Sequence, residues 1–136
     1  MTNPFQHATD SYGAVRPSYP REAIDTILAG EKASEITIAD VGAGTGKLTA
    51  ELLERGAKVI AVEPAQAMRE QLVKLLGHDQ NVQVVDACAE VTGLPDASVD
   101  RAVFAQSWHW VDPQTAGQEM HRIVRPGGQL MIVWNQ

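Results

Sequence analysis

With 136 residues, 44% of them hydrophobic and 21% charged, the chain has the size and composition of one soluble domain that buries about two thirds of its unfolded surface. A formal net charge of −6 excludes an overall basic face for nucleic acid phosphates, and no apolar run reaches the ~20 residues of a membrane helix. The lone Cys88 can form no internal disulfide and no cysteine metal cage, and the N-terminal stretch lacks the basic start and apolar core of a secretion signal, so the expected location is the cytoplasm.

Residues 1–19 are polar and aromatic, with Tyr12, Arg16, Pro17, Tyr19 and Pro20 close together. Proline biases the residue before it toward extended geometry, so this segment reads either as a lid or as a frayed terminus. Pro20 opens a helix over 21–29, where Ile24, Ile27 and Leu28 form one apolar stripe and Gly30 ends it.

An apolar strand built on Ile36, Ile38 and Val41 then runs into Gly42-Ala-Gly-Thr-Gly46 and a helix over 47–55. Glycines at alternating positions remove every Cβ from the bend, so the backbone can turn tightly and a ligand can lie against it. The helix that follows points its unpaired N–H groups at the same place. Residues 58–62 read as a second strand ending at Glu63, where a carboxylate can accept both hydroxyls of a ribose. A dinucleotide fingerprint would want its third glycine where Lys47 stands, and here that glycine comes one residue early, at Gly46.

Pro64 opens a helix over 65–77, with Met68, Leu72, Leu75 and Leu76 as its expected core positions, and 81–86 alternate as a third strand. Residues 87–100 are loop-like by their Gly, Pro, Asp and Ser content. A fourth strand is expected over 101–106, followed by Ser107-Trp-His-Trp-Val-Asp112. In an open α/β sheet this segment faces the same crevice as the glycine turn. His109 is then either a base in that crevice or a histidine satisfied by a backbone carbonyl in a packed loop. Asp112 caps a helix with Pro113 at its first position and Ala116, Met120, Ile123 and Val124 on its buried face. Pro126-Gly-Gly128 is a turn, and 129–134 form a fifth strand. Strands alternating with helices predict an α/β fold, a Rossmann-like doubly wound parallel sheet in the order 3-2-1-4-5.

The string Asp40-Val-Gly-Ala-Gly-Thr-Gly46, with Glu63 at the next strand end, resembles the first motifs of the class I S-adenosylmethionine-dependent methyltransferases of small-molecule type. The resemblance implies one methyltransferase core over residues 1–136, with 1–30 as its N-terminal cap and helix. It implies S-adenosylmethionine as cofactor, with Asp40 and the backbone of Gly42, Ala43, Gly44 and Gly46 holding the methionine part. Glu63, with Pro64 beside it, would hold the ribose. The pattern Tyr-x-x-x-Arg-Pro-x-Tyr-Pro is similar to the family's N-terminal cap, which implies that Tyr12, Arg16 and Tyr19 close over the methionine end with the guanidinium near its carboxylate.

The segment beginning Ala87-Cys-Ala-Glu90 resembles the third cofactor motif, with Cys88, Ala89 and Glu90 lining the adenine pocket. The family commonly has Gly-Asp-Ala-Glu there. With that aspartate replaced, either Asp86 or Glu90 meets the adenine amine, or the contact is with backbone only. Residues 106–110, from Gln106 to Trp110, would line cofactor and acceptor, with His109 as the catalytic candidate and no metal.

The family carries two more strands after the fifth, which this sequence lacks, so it is a fragment or a naturally short relative. A fifth strand left at the edge, with Leu130, Ile132 and Trp134 exposed and no lysine or proline inside it, is expected to pair with a second copy. The expected partner otherwise is a small-molecule methyl acceptor, with no nucleic acid and no membrane. The rival readings are a cofactor-binding fragment without activity and a nicotinamide-dependent oxidoreductase.

Overall fold

The computed structural model describes residues 19–105 and 111–133. Five parallel strands form one sheet: β1 (Thr37–Val41), β2 (Lys58–Val62), β3 (Val82–Val85), β4 (Val99–Ala105) and β5 (Val124–Val133), in the order β3-β2-β1-β4-β5. The helices between them are α1 (Arg21–Leu28), α2 (Lys47–Glu54), α3 (Gln66–Leu76) and α4 (Pro113–Ile123). The expected fold and strand order are those observed. Among the described residues no helix is long and apolar enough to cross a membrane.

Because successive side chains of a strand point to opposite faces, each central strand feeds two cores. Ile38 and Val103 join Ile24, Ile27, Leu48 and Leu52 from α1 and α2 on one face. Ala39, Val41, Ala102 and Phe104 join Ala116, Met120 and Ile123 from α4 on the other. The order of strands reverses between β1 and β4, so the crevice at their C-terminal ends opens where the glycine turn leaves β1.

Four expectations need correction. In α3 only Leu72 is fully buried, with Leu76 partly so, while Met68 and Leu75 are 44% and 60% exposed. This helix lies toward the edge strand β3, and a narrow line of it meets the protein. The fourth strand starts at Val99 rather than at Arg101, because Val99 is buried and the Asp100 carboxylate is engaged by the Thr37 N–H at 2.7 Å and by Arg125. Val124 is the first residue of β5, paired with Val99, and not part of the helix face. The Pro126-Gly-Gly128 turn sits inside β5 as a bulge: five steps from Val124 to Gln129 oppose two from Val99 to Arg101.

β5 is a sheet edge, as expected, but it contains Arg125 and Pro126, and Ile132 packs partly against the second core. Leu130 is 41% exposed, and Trp134 lies outside the described residues.

Candidate functional site

β1 delivers Asp40 and Val41 to the base of the glycine turn, where Gly42 and Ala43 both donate to Val62 O, at 2.8 and 3.0 Å. That pair of hydrogen bonds ties the turn to the end of β2. Gly46 donates to Ala43 O at 3.0 Å and caps α2 with φ +95°, without a side-chain cap. A Cβ on Gly46 would stand 3.0 Å from both Leu72 Cγ and Leu76 Cδ1, so glycine here lets α3 close on the turn. Gly44, at φ +62°, would meet nothing within 4 Å, so its backbone faces open space.

Asp40 is 1% exposed, and its Oδ2 accepts a 2.6 Å hydrogen bond from Thr49 Oγ1 in α2. Burial pushes its carboxyl up to about 6; the Thr49 hydroxyl opposes this and the charge of Glu63 adds to it. This carboxylate braces strand against helix beneath the turn rather than lying on its surface.

Glu63 follows β2 and is 8% exposed. Its N–H donates to Val85 O at 3.0 Å, which fixes the backbone. Its Oε1 accepts the Gly44 N–H at 2.7 Å and its Oε2 accepts the Ala65 N–H at 2.9 Å, so the carboxylate spans from the glycine turn to the start of α3. Each oxygen retains a lone pair for another donor. Arg69, one turn into α3, donates from Nη1 to Pro64 O at 2.7 Å, Asp86 Oδ1 at 3.0 Å and Glu63 O at 3.1 Å.

In the loop after β3, Cys88 is exposed and bridged to Val91, and Ala89 is buried in the second core. Glu90 Oε2 accepts the Asp112 N–H at 2.9 Å, a bond that holds its carboxyl below the usual range against slight burial. Both side chains suggested for the adenine amine therefore have protein partners, Asp86 in Arg69 and Glu90 in the start of α4. The Asp112 carboxylate takes the Thr115 hydroxyl instead of capping a backbone N–H. Further along, Thr92 donates its N–H and hydroxyl to Glu119 Oε2 at 2.8 and 2.7 Å, and Arg122 meets both oxygens of Glu119.

Tyr19 is 8% exposed and packs in the core under α1 and α2. Tyr12, Arg16, Gln106, Trp108, His109 and Trp110 lie outside the described residues. The structure thus brings together Asp40, the turn from Gly42 to Gly46, Glu63 and Pro64 at the ends of β1 and β2. It adds Thr49 and Arg69, which the sequence reading did not single out. A threonine beside Leu48 and Leu52 on the inward side of α2 was a signal for the first; nothing local marked the second.

A backbone cradle open at Gly44, with an ionisable carboxylate across it, fits an adenosyl cofactor that offers ribose hydroxyls and a charged amino acid end. Residues 39–132 match the family described as a methyltransferase domain. An uncharacterised methyltransferase of Mycobacterium tuberculosis is 46% identical over 135 residues, 99% of this chain and 53% of that protein. The tRNA 5-carboxymethoxyuridine methyltransferase of Escherichia coli is 27% identical over 127 residues, 90% of this chain and 49% of that one. The crystal structure of a putative methyltransferase from an antibiotic biosynthesis pathway of Anabaena variabilis superposes with a TM-score of 0.72 at 35% identity, over 83% of this chain and 43% of that one. The chain spans about half the length of the curated relatives it matches. It belongs to the S-adenosylmethionine-dependent methyltransferase family, whose cofactor is S-adenosylmethionine.

Proposed function

We propose that the protein transfers a methyl group from S-adenosylmethionine to a small-molecule acceptor. The observation that carries this reading is Glu63, fixed by the N–H groups of Gly44 and Ala65 at the mouth of the glycine turn. The cofactor supplies a methyl group already activated by a positive sulfur, so no covalent nucleophile is asked of the protein. What remains for the chain is to bind, orient and exclude water.

The turn from Gly42 to Gly46 holds the methionine part, with Asp40 acting through Thr49 on the shape of that turn. Glu63 takes the ribose hydroxyls, and Cys88 and Ala89 present backbone to the adenine. Arg16, with Tyr12, is assigned to the carboxylate end on its sequence pattern, and Gln106 to the cofactor, while the Tyr19 side chain stays in the core. His109 is the candidate to take a proton from a hydroxyl or amine acceptor, since its unperturbed pKa lies near ~6.5.

Two observations support a small acceptor. The net charge is −6, and Arg55, Arg69, Arg101, Arg122 and Arg125 are each committed to a carboxylate of the same chain. A polyanionic substrate would need such cations free. Methyl-labelled cofactor offered with a panel of small hydroxyl, amine and carboxyl acceptors, and separately with bulk tRNA, tests this. Label in a small product is expected; label in tRNA alone overturns the acceptor class.

A further inference from the structure

We propose that Arg69 is a positioning residue for the nucleoside half of the cofactor, holding the ribose-binding turn and the start of the adenine loop at a fixed separation. This rests on the reading of Glu63 as the ribose carboxylate. One nitrogen of Arg69 reaches three acceptors: the carbonyls of Glu63 and Pro64, which end the β2 side, and the carboxylate of Asp86, which follows β3. Nη1 carries two hydrogens, so at least one is shared between two oxygens, and the three acceptors are drawn to one point. The side chain is 18% exposed, and its head spans the gap between the strand ends.

The geometry at Glu63 explains why such a clamp matters. Its N–H is fixed to Val85 O and its carboxylate to two backbone N–H groups, whereas its C=O and that of Pro64 accept from Arg69. Proline offers no N–H of its own to brace the turn. Without a donor at these two carbonyls, the peptide between β2 and α3 can rotate and carry the Glu63 oxygens out of line. Asp86, 70% exposed, would be released at the same time, and with it the segment leading to Cys88 and Ala89.

The test is calorimetric titration of the protein with S-adenosylhomocysteine and with 5′-methylthioadenosine, which keeps the nucleoside and lacks the amino acid end. Arg69→Met, which keeps the stem and removes the donors, should weaken both ligands by the same factor, about tenfold. Arg69→Lys, whose ammonium offers three hydrogens where Nη1 has two, should recover most of that loss. In a Glu63→Ala background, Arg69→Met should cost less than about twofold more, because the group it aims is gone. A residue that only stabilises the fold would lower the melting temperature and leave both dissociation constants unchanged well below it; that result overturns the proposal. A loss confined to S-adenosylhomocysteine also overturns it. If Arg69→Met does not fold, Asp86→Asn probes the same bridge: about threefold weaker binding supports it and unchanged binding refutes it. Failure of the unaltered protein to bind S-adenosylhomocysteine is a separate outcome, one that removes the proposed function as well.

Discussion

Thr49 Oγ1 donates to Asp40 Oδ2 across 2.6 Å in the interior beneath the glycine turn, joining the end of β1 to the third residue of α2. Asp40 is therefore a buried carboxylate whose folded pKa of about 6 lies above its ordinary 3.8. A raised folded pKa means that its contribution to stability is fully present below about 3.8 and is lost as the pH rises through about 6. Asp40→Asn removes that titration. The stability of the variant relative to the native protein should move in its favour by up to about 3 kcal/mol between about pH 4 and pH 8. Denaturant unfolding at the two pH values checks it, and a difference independent of pH would contradict the burial argument.

Gly44→Ala and Gly46→Ala should separate binding from folding. Gly46 has a left-handed backbone and two leucine side chains 3.0 Å from where a methyl would go, so alanine there should cost about 2 kcal/mol or more of stability. At Gly44 the methyl enters open space, so the folding cost should stay near about 1 kcal/mol. That methyl nevertheless projects from the turn assigned to the cofactor, and S-adenosylhomocysteine affinity should fall by about tenfold or more. Thermal unfolding and calorimetry on both variants decide; equal effects on both quantities would be against the assignment.

Glu119 is held down to about 2 by Arg122, with further bonds from Thr92, against partial burial. Because the folded pKa is depressed, this stabilisation is present above its ordinary 4.5 and lost as the pH falls toward about 2. Glu119→Gln should cost about 2 kcal/mol at neutral pH, with the deficit shrinking as the pH drops through that window. The unfolding midpoint measured across the window checks this, and a deficit that persists at the acid end would point to packing instead.

Much of this was legible because the signals were local. The strand over 58–62, the glycine turn and the acidic residue after the second strand each lie in a few consecutive residues, and the parallel order follows from their alternation with helices. Readings failed where the partner came from elsewhere in the chain. Val99 and Asp100 look like loop until β1 and Arg125 are placed beside them. Pro126 and Gly127 look like a turn before a strand because a bulge is defined only against β4. Met68 and Leu75 share the apolar character of Leu72, but which of them is covered depends on how α3 lies on the sheet. Arg69 joins three acceptors from two strand ends, and nothing in its own neighbourhood announces that.

The glycine cradle closed by Glu63 is proposed to bind an adenosyl cofactor. Calorimetric titration of the unaltered protein and of Glu63→Ala with S-adenosylhomocysteine, with NAD as a control, tests it most directly. S-adenosylhomocysteine should bind and NAD should not, with a loss of about 1–3 kcal/mol in Glu63→Ala as ribose hydroxyls lose their carboxylate partner. Binding of NAD alone, or equal dissociation constants for the two proteins, would contradict it.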